Sequence, residues 1–308
     1  MPIYFPIAEL SIDAFLLLAI GGFVGFLSGV FGVGGGFLLT PTLIFLGVPP
    51  PVAVATQAPQ IVASSMSGMI PHWRNGNVDF AMGGVLVGGG VIGAGLGVWL
   101  YAFLRDVGQI DLAISLLYVI LLGSVGLLML IEAVRALVEV KRPGAPRRRR
   151  LHEHYWLHSM PWKVRFRVSR LYISVLPVLG IGMFAGILVA IMGVGGGFLL
   201  VPAMIFILGM PTMVAVGTSL FQIIFVTSVV TVLHSTSNYT VDIPLALLVA
   251  AGGVVGAQWG VKVGQRLKAE QLRILFALLV LAVAIKIAVD LTLTPDELYS
   301  IIPVLQAS

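Results

Sequence analysis

The sequence predicts an all-α membrane protein made of two inverted-topology repeats of about five hydrophobic segments each, with Gly-broken or re-entrant helices. Three observations predict it: a composition poor in charge, a succession of apolar runs of membrane-crossing length, and a motif that occurs twice at matching places. Of the 308 residues, 58% are hydrophobic and 10% are Asp, Glu, Lys or Arg. A water-exposed surface needs more charge than that, so lipid is the expected solvent. Cysteine is absent, which removes disulfides, thiolate metal sites and Cys nucleophiles.

The apolar runs of the first half are Ala14–Phe31, Phe37–Leu46, Val52–Pro71, Phe80–Leu104 and Ile110–Val138. Those of the second half are Leu171–Met192, Phe198–Leu208, Met213–Leu233, Ile243–Val263 and Leu272–Leu291. Most approach the ~20 residues that cross the hydrocarbon core as a helix. The second and seventh are shorter, and each follows a Gly-rich break, which makes them candidates for half-helices in a re-entrant hairpin. The first run is preceded by Glu9 and Asp13 and by no Lys or Arg. A signal peptide starts basic, so this run is expected to remain as a membrane segment.

Three regions follow: residues 1–138 as the N-terminal membrane repeat, 139–170 as a basic linker, and 171–308 as the C-terminal membrane repeat. The linker carries Lys141, Arg142, Arg147 to Arg150, Lys163, Arg165, Arg167 and Arg170. Pro143, Gly144 and Pro146 interrupt any helix there. A basic stretch between membrane segments reads as a cytoplasmic linker that orients the protein, rather than as a nucleic-acid site. Trp156 and Trp162 suit the lipid interface.

The repeat is explicit. Gly25 to Pro41 reads GFLSGVFGVGGGFLLTP and Gly186 to Pro202 reads GILVAIMGVGGGFLLVP, identical at eleven of seventeen positions. Val52 to Thr56 then pairs with Val214 to Thr218, Gln60-Ile61 with Gln222-Ile223, His72 with His234, and Val78-Asp79 with Val241-Asp242. Gly89 to Ala94 pairs with Gly252 to Ala257. A unit with an odd number of crossings returns upside down, so the halves are expected to be related by an axis in the membrane plane. With the linker in the cytoplasm, Arg74, Lys262, Arg266 and Lys268 fall inside, and the acidic tail with Asp296 and Glu297 falls outside. Both termini are then periplasmic, and Arg105 alone is on the wrong side for the positive-inside bias.

The glycine motifs carry the candidate chemistry. Gly34, Gly35 and Gly36 precede one short run, and Gly195, Gly196 and Gly197 precede its counterpart. Consecutive glycines adopt left-handed backbone angles. A helix starting after them presents free N–H groups and the positive end of its dipole, which favours an oxyanion. Phe-Leu follows the glycines where a phosphate-binding P-loop needs Lys-Ser or Lys-Thr. The third segment adds Thr56, Gln57 and Gln60, and its counterpart adds Thr218, Ser219 and Gln222. Spacing of four places Thr56 with Gln60, and Thr218 with Gln222, on one helix face. Their neutral groups serve either substrate or interhelical hydrogen bonds.

His72 and His234 are candidates for a proton relay. No metal site and no cofactor is expected, because neither His has carboxylate or thiol ligands nearby in sequence. Asp79 and Asp242 sit where N-caps belong. Lys286 and Asp290 form an i,i+4 pair near the end of the last run.

The duplicated GVGGG-F-L-L-x-P, the later Val-x-Thr and Thr-Ser segments, the His before Val-Asp and the GGVxGA run resemble the sulfite exporter TauE/SafE family. The resemblance extends over Ala14 to Leu291. It implies a membrane permease for sulfite, sulfoacetate or a related small organosulfur anion. The expected function is export of such an anion across a bacterial-type inner membrane, by alternating access of the two halves, and proton coupling is compatible with it but not fixed by the residues. The expected partners are that anion and the lipid bilayer, with no nucleic acid. An anion channel, or a permease for a small carboxylate, is the alternative. A membrane enzyme is not expected, since no convergent acid/base or nucleophile set occurs.

Overall fold

The computed structural model describes residues 2–31, 34–140, 162–264 and 269–292. Lys141, Arg142, Arg147 to Arg150, Trp156, Arg266, Lys268, Asp296 and Glu297, on which part of the charge argument rests, lie outside the described residues. The first half contains the hairpin β1 (Pro2–Phe5) and β2 (Leu10–Asp13), then α1 (Ala14–Phe31), α2 (Gly36–Phe45), α3 (Pro50–Arg74), α4 (Phe80–Asp106) and α5 (Ile110–Val140). The second half repeats that order. It has β3 (Lys163–Phe166), β4 (Leu171–Ser174), α6 (Val175–Met192), α7 (Gly197–Phe206), α8 (Thr212–Leu233), α9 (Ile243–Gly264) and α10 (Ala269–Thr292).

Among the described residues, six helical segments are long and apolar enough to cross a membrane: α1, α4, residues 110–128 of α5, α6, α8 with the turn after it, and α9. The expected short segments are α2 and α7, of ten residues each. At 1.5 Å per residue each rises about 15 Å, half of a hydrocarbon core. Helix α3 has 25 residues, but it buries Thr56, Gln57, Gln60, Ser64, Ser65 and His72. A helix that faces its polar side inward belongs inside the bundle, with lipid-facing helices around it.

Packing follows the repeat. The most extensive contacts join α1 to α9 and α4 to α6, each a pairing of one helix from either half. Exchanging the halves turns the first pair into the second. It likewise turns α3 with α9 into α8 with α4, while α3 with α8 and α5 with α10 map onto themselves. Glycine makes the close pairs possible. A β-carbon on Gly25 would meet the Gly253 Cα at 2.6 Å, and one on Gly186 would meet the Ala94 nitrogen at 2.9 Å. Small residues let helix backbones touch in this way where lipid supplies no hydrophobic driving force. The central apolar cluster gathers Phe37, Leu39, Leu43, Tyr101, Tyr118 and Phe198.

Two short hairpins, which the sequence does not predict, are added to the all-α architecture. Residues 163–170, expected as linker, belong to the second hairpin. Registers match: Phe5 pairs with Leu10 and Ile3 with Ile12, as Phe166 pairs with Leu171 and Val164 with Ile173. Glu9 and Arg170, at matching places in the turns, both have positive φ, 55° and 56°. Each hairpin delivers a cap to the helix it precedes. Phe15 N donates to Asp13 Oδ1 at 2.8 Å, and Leu176 N to Ser174 Oγ at 3.3 Å.

Candidate functional site

Helices α2 and α7 begin from loops of one geometry. Gly35 and Gly196 are the N-caps, with φ of 73° and 72°, and no side chain caps either helix. Gly34 and Gly195 precede them at φ 88° and 75°. Such angles are free of strain only for glycine. The loops meet one another. A β-carbon on Gly36 would lie 2.6 Å from the Gly193 carbonyl oxygen and 2.7 Å from the Val194 carbonyl carbon. The Phe37 and Phe198 rings, one residue further on, are 6.4 Å apart. Two positive helix ends therefore converge in a buried region built from both halves.

Polar groups from α3 and α8 surround this point. Ser65 is fully buried and its hydroxyl has no partner. It would lie 3.5 Å from a β-carbon on Gly34. Gln57 donates to the Gly193 carbonyl and so ties α3 to the opposite loop. Ser219, at the matching place, bonds back to Val216 O of its own helix at 2.8 Å. Gln60 and Gln222 are fully buried, and both polar atoms of each amide lack partners. Unpaired buried amides are costly and mark sites for a ligand, water or ion. The pair is equivalent in the repeat. Gln60 Nε2 would lie 2.6 Å from a β-carbon on Gly253, and Gln222 Nε2 2.7 Å from one on Gly90.

Thr56 and Thr218 are already engaged. Thr56 Oγ1 accepts from Asp242 N and Thr218 Oγ1 accepts from Asp79 N, each at 3.0 Å. Both bonds cross between the halves. They also show that α3 and α8 lie antiparallel, because the start of each helix bonds to the segment that follows the end of the other.

The two histidines differ. His72 is buried and its Nδ1 has no partner. His234 opens a π turn (His234–Asn238). Its Nε2 lies 2.9 Å from Ala190 O, and its Nδ1 2.9 Å from Asn238 Nδ2. A carbonyl only accepts, so the ring proton is on Nε2 and Nδ1 accepts from the amide. Tyr101 sets its ring edge-on against His234 at 4.6 Å. Arg105, the basic residue out of step with the charge bias, donates to Asn238 O at 2.9 Å and so holds that turn. Asp79 and Asp242 cap α4 and α9 as expected, through Met82 N and Leu245 N, each at 3.2 Å. Lys286 and Asp290 form their ion pair at 3.0 Å.

With this geometry in view, the family model described as Sulfite exporter TauE/SafE matches residues 17–287. The chain belongs to this family. A probable membrane transporter protein of Xylella fastidiosa (strain 9a5c) is 32% identical over 86% of this chain and 91% of its own. Probable membrane transporter protein YjnA of Bacillus subtilis is 26% identical over 88% and 98%. Probable membrane transporter protein MJ0441 of Methanocaldococcus jannaschii is 25% identical over 85% and 90%. No solved structure matches the chain. This TauE/SafE protein is thus a multi-pass membrane transporter.

Sequence reasoning overlooked one residue at the centre of the site. Ile61 is fully buried and lies against both loops. A β-carbon on Gly34, Gly36 or Gly195 would meet its side chain at 3.5, 2.5 or 3.0 Å. Its counterpart Ile223 lies 3.4 Å from a β-carbon on Gly34. The repeated Gln-Ile pair was the available signal, and an apolar residue beside a polar one carries no chemical flag.

Proposed function

We propose that this protein exports sulfite, sulfoacetate or a related small organosulfur anion across a bacterial-type inner membrane by alternating access. The observation that carries the reading is the meeting of the two glycine loops, each opening an uncapped helix, beside the unpartnered Ser65 hydroxyl. Backbone N–H groups and helix dipoles from both halves then share one oxyanion. Gly34 to Gly36 and Gly195 to Gly197 supply the cradle. Gln57, Gln60, Ser219 and Gln222 add neutral donors, and Thr56 and Thr218 fix the helices that carry them. Ile61 fills the convergence in the closed state and gives way when the anion enters. His72, with a free ring nitrogen, is the better candidate of the two histidines for moving a proton.

The inverted arrangement has independent support. With the linker cytoplasmic and both termini periplasmic, the β3–β4 hairpin and the α3–α4 turn share the inner face. The β1–β2 hairpin and the α8–α9 segment share the outer one. The cross-half hydrogen bonds join these same partners.

Thermal unfolding of the purified protein with sulfite, sulfoacetate, sulfate, taurine and lactate tests the substrate. A ligand at a hundred times its Kd adds about 2.7 kcal/mol, which is a clear shift in Tm. Stabilisation by the sulfur oxyanions, lost when Gly35 or Gly196 is replaced by Leu, is expected. No shift with any sulfur anion overturns the substrate reading, and an unchanged shift in both variants moves the site elsewhere. A larger shift with lactate selects the carboxylate alternative, and flux that never accumulates against a gradient selects a channel.

A further inference from the structure

Capping uses one oxygen of Asp79 and one of Asp242. The second oxygens are engaged just as fully. Asp79 Oδ2 accepts from Ser169 N at 2.9 Å and from Ser169 Oγ at 2.6 Å. Asp242 Oδ2 accepts from Ile7 N at 3.1 Å and Ala8 N at 3.3 Å. Ser169 and Ala8 hold the same place in their hairpin turns. Each carboxylate is buried and joins the helix it caps to the hairpin of the other half, while the backbone N–H of the same residue donates to the threonine of the other half.

Both networks bridge the halves, and they lie at opposite ends of the α3–α8 pair. One contains Thr56, and the other follows the end of α3 at Arg74. Eighteen residues of helix separate these points, about 27 Å, close to the thickness of a hydrocarbon core. Each network also lies one helical turn from one of the unpaired glutamines. Asp242 precedes α9, whose Gly253 receives Gln60, and Gln60 is one turn from Thr56. Asp79 precedes α4, whose Gly90 receives Gln222, and Gln222 is one turn from Thr218.

We infer that Asp79 and Asp242 are positioning residues that act as paired latches, each closing one entrance to the substrate site and setting the register of the glutamine nearest to it. The inference rests on the alternating-access reading. Rocking one half against the other has to part Asp79 from Ser169 and Thr218 at one face, and Asp242 from Ile7, Ala8 and Thr56 at the other. The two latches open in turn, because opening both at once would leave a continuous pore.

Asp→Asn substitution separates latch from cap. The carboxamide oxygen still caps the helix, while its NH2 faces hairpin donors that needed an acceptor. The chain has no cysteine, so S65C places the only thiol in the site. In vesicles of known orientation, a membrane-impermeant maleimide is applied from either side. With Asp79→Asn the S65C thiol should react at least about tenfold faster from the linker side and unchanged from the other, the scale set by two lost bonds to a carboxylate. With Asp242→Asn the acceleration should come from the opposite side only. Ser169→Ala and Thr56→Val give smaller changes on the same respective sides, and they serve if an Asn variant fails to fold.

Unchanged labelling in all four variants, or acceleration from the same side at both ends, overturns the latches. Anion-dependent stabilisation is read in parallel on the Asp79→Asn and Asp242→Asn proteins and the parent chain, all with Ser65 retained. Side-specific labelling without any anion effect sinks the substrate reading and leaves the latches standing. Anion stabilisation without side-specific labelling does the reverse.

Discussion

At one end of the α3–α8 pair, Asp242 receives the backbone amides of Ile7 and Ala8. At the other end, Asp79 receives the amide and the hydroxyl of Ser169. The plan is the same, and the finish is not. The hairpin over Asp79 carries Lys163, Arg165, Arg167 and Arg170, three of whose arginines line a cleft of about 890 Å³. The hairpin over Asp242 has Glu9 where the other has Arg170. Hydrogen bonds between the halves occur at both ends. Charge is free to differ, because each hairpin meets a different side of the bilayer in the proposed topology. The histidines show the same divergence: His234 is bonded through both ring nitrogens, whereas His72 Nδ1 is without a partner.

The largest effect that would break this comparison is at the histidines. Replacing His234 with Ala removes two buried hydrogen bonds and the packing under Tyr101. The expected loss is about 3 kcal/mol in denaturant unfolding. His72→Ala should cost about 1 kcal/mol, since no bond to Nδ1 is lost. Equal losses would mean that the two positions are structurally equivalent, and that His72 is held by contacts like those of His234.

The threonines should behave alike where the histidines do not. Thr56→Val and Thr218→Val each orphan one buried backbone N–H, of Asp242 and Asp79 respectively. Each should lower stability by about 1–3 kcal/mol, with the two values agreeing more closely than the two histidine values do. A loss at one end only would show that the latches are unequal in strength.

Much of this was legible in the residues. The helices and the two glycine loops could be read because their patterns are long, apolar and repeated, and because glycine at a positive φ has few substitutes. The hairpins were not. Their strands are four residues long, only Phe5, Leu10 and Ile12 match Phe166, Leu171 and Ile173, and the charges reverse. The sequence leaves the threonines open between substrate and interhelical hydrogen bonds, since their partners are backbone amides 186 and 139 residues away. Periodicity places a hydroxyl on a helix face, but it does not reveal which distant N–H lies opposite. Gln60 and Gln222 could be singled out, and their lack of partners emerged only from the packing.

The smallest effect tests whether the difference between the latches is one of number. Ala8 is buried, and its amide already lies 3.3 Å from Asp242 Oδ2. Ser169, its counterpart, adds a hydroxyl at 2.6 Å to the equivalent oxygen. Ala8→Ser therefore supplies Asp242 with the donor that Asp79 has and Asp242 lacks, at the cost of fixing one rotor. The gain should be about 0.5–1 kcal/mol in the absence of anion, and S65C labelling from the end opposite the linker should slow. Ser169→Ala should shift both readouts the other way at its own end. A destabilised Ala8→Ser protein would mean that the first hairpin turn has no room for the hydroxyl. The asymmetry would then be fixed by the shape of the turn rather than by the choice of side chain.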